Sequence, residues 1–244
     1  MPKFFADKDA VSEDRIIISG EDAFHIARSL RMAEGDKIKV SDSESFEYDC
    51  TLLRIRDEEC ECRIDAKGPL SAEMPAPITL YMAYPKGDKL EVVVQKAVEL
   101  GAARIVPFES ARCVKRPKAE KADKQTARLQ KIAKEAAKQC GRGILPEVTH
   151  PVSFDAMLKM AGEAQLALFC YEGERSVSVR QAIENAGELS SVAAVVGCEG
   201  GFSEEEARLC RDAGLVSVHL GPRILRCETA PSYVLSALSF CLEL

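Results

Sequence analysis

Residues 192–209, VAAVVGCEGGFSEEEARL, run from an unbroken apolar strand through a glycine-rich turn into a polar helix. An apolar run without alternation marks a strand covered on both faces, as in a parallel sheet. Gly197, Gly200 and Gly201 let the backbone come close to a ligand, and the helix that follows offers free N–H groups. Ser203 and Glu206 stand at capping-box spacing at its start. Such a turn either holds a small polar ligand or merely reverses the chain, and for glycines alone the second is commoner. The four glutamates Glu199, Glu204, Glu205 and Glu206 crowd the positive end of the helix dipole. They disfavour a phosphate there and suit a cationic or zwitterionic ligand. Neither G-x-G-x-x-G nor G-x-x-x-x-G-K-[ST] occurs in the chain, which argues against a dinucleotide-dependent oxidoreductase or an NTPase.

Working outward, LALFCY (166–171), VSVHLG (216–221), ITLYMAYP (78–85) and RIVPF (104–108) read as further strands with helices between them. Residues 78–108 form a βαβ unit whose helix near 89–100 has Asp88 and Glu91 at capping-box-like spacing and Gly101 beyond its end. In HLGPRILRCETAPSYVLSAL (219–238) a strand ends at Gly221 and a loop leads into the last helix. Thr229 is expected to cap that helix, with Pro231 tolerated in its first turn. Ile224 and Leu225, flanked by Arg223 and Arg226, either plug the core or wall a flat aromatic ligand.

The amino-terminal residues 1–72 look different. RIIIS (15–19) and FEYDCTLLRI (46–55) are strand-like, and EDAFHIARSLRM (21–32) spaces Phe24, Ala27, Leu30 and Met32 at roughly helical intervals. A small barrel with one helix fits. GPLSAEMPAP (68–77) breaks both periodicities, so the chain divides into 1–72 and 73–244.

Apolar residues are 46% and charged residues 30%, ordinary for a globular protein. No apolar run reaches membrane-span length and MPKFFADKDA lacks the core of a secretory signal, so a cytoplasmic location is expected. The ten cysteines are scattered without C-x-x-C, which reads as free thiols and no structural metal. Net charge is -6, yet residues 104–142 hold twelve Lys and Arg against four acidic residues, +8 in a chain otherwise at -14. A charged helix face is usually only solvated surface; clustering of this size points to RNA phosphates. The candidates are Arg112, Lys115, Arg116, Lys118, Lys121, Lys124, Arg128, Lys131, Lys134, Lys138 and Arg142, with Lys86, Arg28 and Arg31 beside them.

GCEGGFSEEE, LGPRILRCETA, KGDKLEVVVQKAVELGAARIVPF (86–108), KIAKEAAKQCGR (131–142) and EDAFHIARSLRMAEGDKIKV (21–40) together resemble the ribosomal RNA small subunit methyltransferase E family, in order over nearly the whole chain. Two positions depart from that family's pattern: Cys198 stands where proline is usual, and Pro231 replaces a small helix former. The resemblance implies a SPOUT-type knotted α/β domain of parallel sheet, preceded by a small PUA-like β-barrel for RNA, and a homodimer with active sites near the subunit interface. It further implies S-adenosylmethionine-dependent methylation of uridine N3 in small-subunit (16S) ribosomal RNA, without metal or membrane. The alternatives are a SPOUT enzyme for another RNA position or a ribose 2′-hydroxyl, and a non-catalytic ribosome-assembly factor. By family position the cofactor pocket comprises Phe169, Tyr171, Glu172, Gly197, Glu199, Gly200, Gly201, Leu220, Gly221, Ile224, Leu225, Arg226, Thr229 and Ala230. Arg226 is the expected electrostatic partner of the reacting base, and Glu228 the candidate proton acceptor.

Overall fold

Alternation of buried and exposed side chains along KIKVS and FEYDCTLLRI builds the amino-terminal sheet from β1 (Lys3–Phe5), β2 (Arg15–Ser19), β3 (Lys37–Ser41), β4 (Phe46–Ile55) and β5 (Glu59–Pro69). In the computed structural model, which describes residues 1–114 and 119–244 and the side chains of all of these except 119–121, the strand order is β1-β3-β4-β5-β2. All pairs are antiparallel except β1 with β3, and β4 and β5 shift register twice. Phe4, Ile16, Ile18, Ile38, Val40, Cys50 and Leu52 fill the interior. The helix α1 (Glu21–Phe24) widens into a π-helical turn over His25–Ser29. It buries Ala23 and Ile26, whereas Phe24 and Leu30 stay exposed. Of the four spaced residues Met32 packs against the core, while Leu30 follows the widened turn, whose period departs from 3.6 residues, and is left outside.

This first unit is Met1–Glu73 together with Ala137–Leu145, and the second is Met74–Ala136 with Pro146–Leu244. The division differs from a single cut near residue 73, since a later segment returns to the first unit. Arg142 explains why: its guanidinium lies buried on Glu73, whose carboxylate also accepts the N–H groups of Gly143 and Ile144 at 2.8 and 3.0 Å. Ser41 Oγ donates to the Gly143 carbonyl at 2.5 Å, and Lys3 Nζ to that of Gly141 at 2.8 Å.

The second unit alternates strand and helix: β6 (Ile78–Ala83), α2 (Lys89–Glu99), β7 (Ala102–Phe108), α3 (Ala119–Cys140, its last turn in the first unit), β8 (Glu147–Val148), α4 (Phe154–Ala161), β9 (Leu166–Cys170), α5 (Val179–Ala186), β10 (Val192–Val196), α6 (Glu204–Asp212), β11 (Val216–Val218) and α7 (Thr229–Glu243). Its six strands are all parallel in the order β11-β9-β10-β6-β7-β8. Every side chain of β9 and β10 is buried, as the unalternating runs require. Because β11, β9, β10 and β6 are neighbours and parallel, their carboxyl ends emerge side by side, where ligands of open α/β sheets bind.

Capping was partly legible. Ser203 and Glu206 form the full box on α6, as do Ser178 and Gln181 on α5. Ser203→Ala is expected to cost about 1 kcal/mol, measured as a lower denaturation midpoint at unchanged slope. At α2 no box forms: Asp88 makes no side-chain cap and Glu91 is drawn instead to Arg128 at 2.9 Å. Thr229 is the first residue of α7, not its cap, since Glu228 precedes it with helical backbone angles and no capping bond. All ten cysteines are free thiols. Among the described residues no group of His, Cys, Asp and Glu could hold a metal, and no helix is long and apolar enough to cross a membrane.

Candidate active site

Three strand ends and the start of α2 enclose a cavity of about 460 Å³. β9 supplies Tyr171 and Glu172, β10 the glycine turn 197–201, β11 the loop 219–227, and the segment after β6 supplies Lys89. The glycine turn is closed by the Gly201 N–H on the Cys198 carbonyl at 3.0 Å. Gly201 has φ +62, and a Cβ there would collide with Glu172 Oε1, so a side chain is excluded both by backbone strain and by the carboxylate. Arg112 reaches over the turn and donates to the Gly200 carbonyl at 2.9 Å. Glu206 fastens the same region by accepting the Ala111 N–H at 2.7 Å and the Ser203 N–H at 2.8 Å.

Twelve of the sequence-assigned pocket residues line this cavity: Tyr171, Glu172, Gly197, Glu199, Gly200, Gly201, Leu220, Gly221, Ile224, Leu225, Arg226 and Ala230. Phe169 does not. It is fully buried and stacks on Tyr171 with ring centroids 5.4 Å apart, so it supports the wall from behind. Thr229, exposed at the first turn of α7, also lies outside the lining. Ile224 is 76% exposed at the edge of the cavity and plugs no core.

A charged cluster stands on the border of the cavity. Lys89 Nζ lies 3.0 Å from Glu199 Oε1 and 3.3 Å from Glu228 Oε2, and the Cys227 thiol donates to Glu228 Oε2 at 3.2 Å. Glu199 also accepts the Lys86 N–H, at 3.1 Å. Burial works against the charge on Glu199, but its own N–H and Lys89 hold its carboxyl below the usual range. Glu228 is lowered as well, by its own N–H, by Cys227 and by Lys89. Both are anions at neutral pH, which leaves Glu228 a weak base. Arg226 is exposed, and among the described residues its guanidinium has no hydrogen-bond or ion-pair partner; its carbonyl accepts the N–H groups of Thr229 and Ala230, each at 2.9 Å.

The cations expected to meet RNA separate into groups. Lys86, Arg112 and Lys131 have exposed side chains, as does Arg31, whose φ is +51. Arg28 is exposed but forks onto Asp57 at 2.9 and 2.5 Å. Lys138 and Arg142 are corrections: Lys138 pairs with buried Asp22 at 2.5 Å, and Arg142 with Glu73, with side-chain exposures of only 10% and 4%. Both hold the first unit together and are not surface cations. Lys115 and Arg116, with Lys118 and the side chain of Lys121, lie outside the described residues. Sequence reasoning missed Lys89, Arg175, His219 and, as a lining residue, Arg223. The available signal for Lys89 was a cation at the first position of a helix, where the dipole disfavours one.

Known proteins resemble this chain along most of its length. Residues 72–239 match the family described as RNA methyltransferase domain, and 18–65 the family described as RNA methyltransferase PUA domain. The Ribosomal RNA small subunit methyltransferase E of Bacillus subtilis is 38% identical over 231 residues, 93% of this chain and 90% of that protein. Its counterpart in Mycobacterium bovis is 29% identical over 91% of this chain and 84% of its own. The crystal structure of a Ribosomal RNA small subunit methyltransferase E from Neisseria gonorrhoeae bound to S-adenosylmethionine superposes with a TM-score of 0.88 at 28% identity, covering 99% of this chain and 98% of that one. A Legionella pneumophila structure in complex with the same cofactor gives 0.85 at 30% identity, covering 98% and 97%.

Proposed function

The chain belongs to the ribosomal RNA small subunit methyltransferase E family, with a PUA-like domain followed by a SPOUT-type α/β domain, and on that premise we propose that it methylates N3 of a uridine in small-subunit ribosomal RNA. The observation that carries the reading is the cavity at the ends of β9, β10 and β11, with the glycine turn 197–201 in its wall and Arg226 at its edge. Its size lies within the range for small-molecule sites. Glu172 and Glu199 complement a cationic ligand, while Val196, Leu225 and Ala230 offer apolar wall for a flat ring.

S-adenosylmethionine, when bound there, supplies a methyl group already activated on a positively charged sulfur. The chain's own task is alignment and management of the imide proton. N3 lies on the Watson–Crick edge, so the uridine enters unpaired. Arg226, its guanidinium open to solvent at the cavity, stabilises the negative charge that grows on the uracil oxygens as the proton leaves. Glu228 is the carboxylate that receives the proton. Its low basicity makes the lowering of the imide pKa by Arg226 the larger contribution.

The same reading carries a cytoplasmic location, a trefoil knot and a homodimer. For the knot, the support is that the chain leaves β11 on the far side of β9 and returns to pack α7 against β10. For the dimer, it is the row of exposed apolar residues Tyr233, Phe240 and Leu244 on α7 and at the end of the chain, with Val92 on neighbouring α2. Incubation with labelled S-adenosylmethionine and small-subunit RNA or particles lacking the modification, followed by nucleoside mass analysis, is expected to yield N3-methyluridine. Another methylated nucleoside would overturn the assigned position, cofactor binding without transfer to either substrate would point to a different RNA, and failure to bind the cofactor as well would favour an assembly factor.

A further inference from the structure

Lys89 occupies a position that helix formation does not explain. It is the first residue of α2, at the positive end of the dipole, where an ammonium is disfavoured. Its Nζ instead sits between two carboxylates from distant parts of the chain, Glu199 of the glycine turn at 3.0 Å and Glu228 of the arginine-bearing loop at 3.3 Å. Cys227 Sγ is 3.7 Å from the same nitrogen. Both carboxylates therefore lie within a few ångströms of each other. Without the ammonium they would repel across the border of the cavity.

We propose that Lys89 is a positioning residue of the transfer site, tying the glycine turn to the 219–228 loop through Glu199 and Glu228 so that both segments keep their ligand-binding arrangement. The inference rests on the reading of the cavity as the S-adenosylmethionine site and names a residue that family position did not supply. Three features support it. The lysine itself lines the cavity, together with Glu199 and Cys227. Its side chain is 35% exposed, and those of Glu199 and Glu228 are 27% and 26% exposed, so the contact is partly shielded from solvent. Glu199 is further fixed by the Lys86 N–H, which leaves the loop carrying Glu228 as the segment whose placement depends on the lysine.

The charged groups facing Lys89 Nζ are Glu199 and Glu228, with the Cys227 thiol beside them. All three come from loops that converge on the start of α2. Replacement by methionine keeps much of the side chain's length and does not harm the helix start, so loss of function would not report a weakened α2.

The test compares wild type, Lys89→Met and Lys89→Arg in two measurements. Carboxylate carbon NMR titration of the ligand-free protein reads the pairing directly, and calorimetry from pH 5 to pH 8 reads S-adenosylmethionine affinity. In Lys89→Met one of the two carboxylates should titrate at higher pH than in wild type. Affinity should fall about tenfold, the loss expected for one charge-assisted contact, and acquire a pH dependence that wild type lacks. Lys89→Arg should restore both to within about threefold. Unchanged titration in Lys89→Met overturns the proposal, as does a shifted titration with unaltered affinity. An equal loss of affinity at every pH that arginine does not rescue does so too, because it reports packing alone. If wild type itself binds no S-adenosylmethionine, the reading of the cavity fails and the proposal with it, an outcome distinct from any effect of the substitution.

Discussion

Arg226→Ala is expected to lower methyl transfer by about a hundredfold or more while S-adenosylmethionine affinity changes by less than about threefold. The asymmetry follows from how the residue is anchored. Its carbonyl accepts the Thr229 and Ala230 N–H groups at 2.9 Å, so truncating the side chain leaves the loop's backbone bonds in place. Its guanidinium, by contrast, is exposed and has no partner among the described residues, which leaves it free to meet a charge that exists only during reaction. A group that interacts with the transition state more than with the ground state shows its loss in turnover and not in binding. Arg226→Lys should recover part of the rate, since it restores charge but not the planar fork. Single-turnover rates beside calorimetric affinities separate the two quantities. A parallel fall in both would make Arg226 a cofactor-binding residue and remove it from the chemistry.

What could be read from the sequence was governed by local regularity. The unalternating runs of β9 and β10 carry their own signature, and the glycine turn followed by Ser203 and Glu206 encodes its capping within four residues. The strand ends that frame the cavity follow from those runs once the sheet is parallel. Failures lie where a nearby pattern competes with a distant partner. Asp88 and Glu91 have the spacing of a box, but Glu91 is claimed by Arg128, 37 residues away. Leu30 suits a regular helix whose period the π-helical turn at His25–Ser29 changes before it. Lys89 carried only a weak local signal, an ammonium at a helix start, and its meaning was hidden because both of its carboxylates lie more than a hundred residues downstream. In the basic segment the cluster was legible but its members were not, since a count of cations is blind to Asp22 and Glu73, which are distant in sequence and take two of them into the interior.

Arg142 turns that last point into a measurable distinction. Arg142→Met is expected to destabilise the protein by about 3 kcal/mol, the lower part of the range for breaking a buried ion pair, with no change in the salt dependence of RNA binding. The guanidinium is 4% exposed and meets Glu73 through Nε at 2.9 Å and Nη2 at 2.5 Å. Removing it leaves a carboxylate that is 16% exposed and, among the described residues, supported only by the Gly143 and Ile144 N–H groups. Those two bonds hold the returning segment 137–145 to Glu73 within the first unit, so the uncompensated charge weakens that segment's attachment. Glu73→Gln in the same chain should recover part of the loss, because a neutral amide is cheaper to bury without a cation. If Arg142 instead met a phosphate, its removal would lower the slope of log affinity against log salt by about one at nearly unchanged stability. Denaturation midpoints and a salt series on the same variant therefore decide between a structural and an RNA-contacting arginine, and Lys131→Ala, at an exposed cation of α3, supplies the comparison for the salt slope.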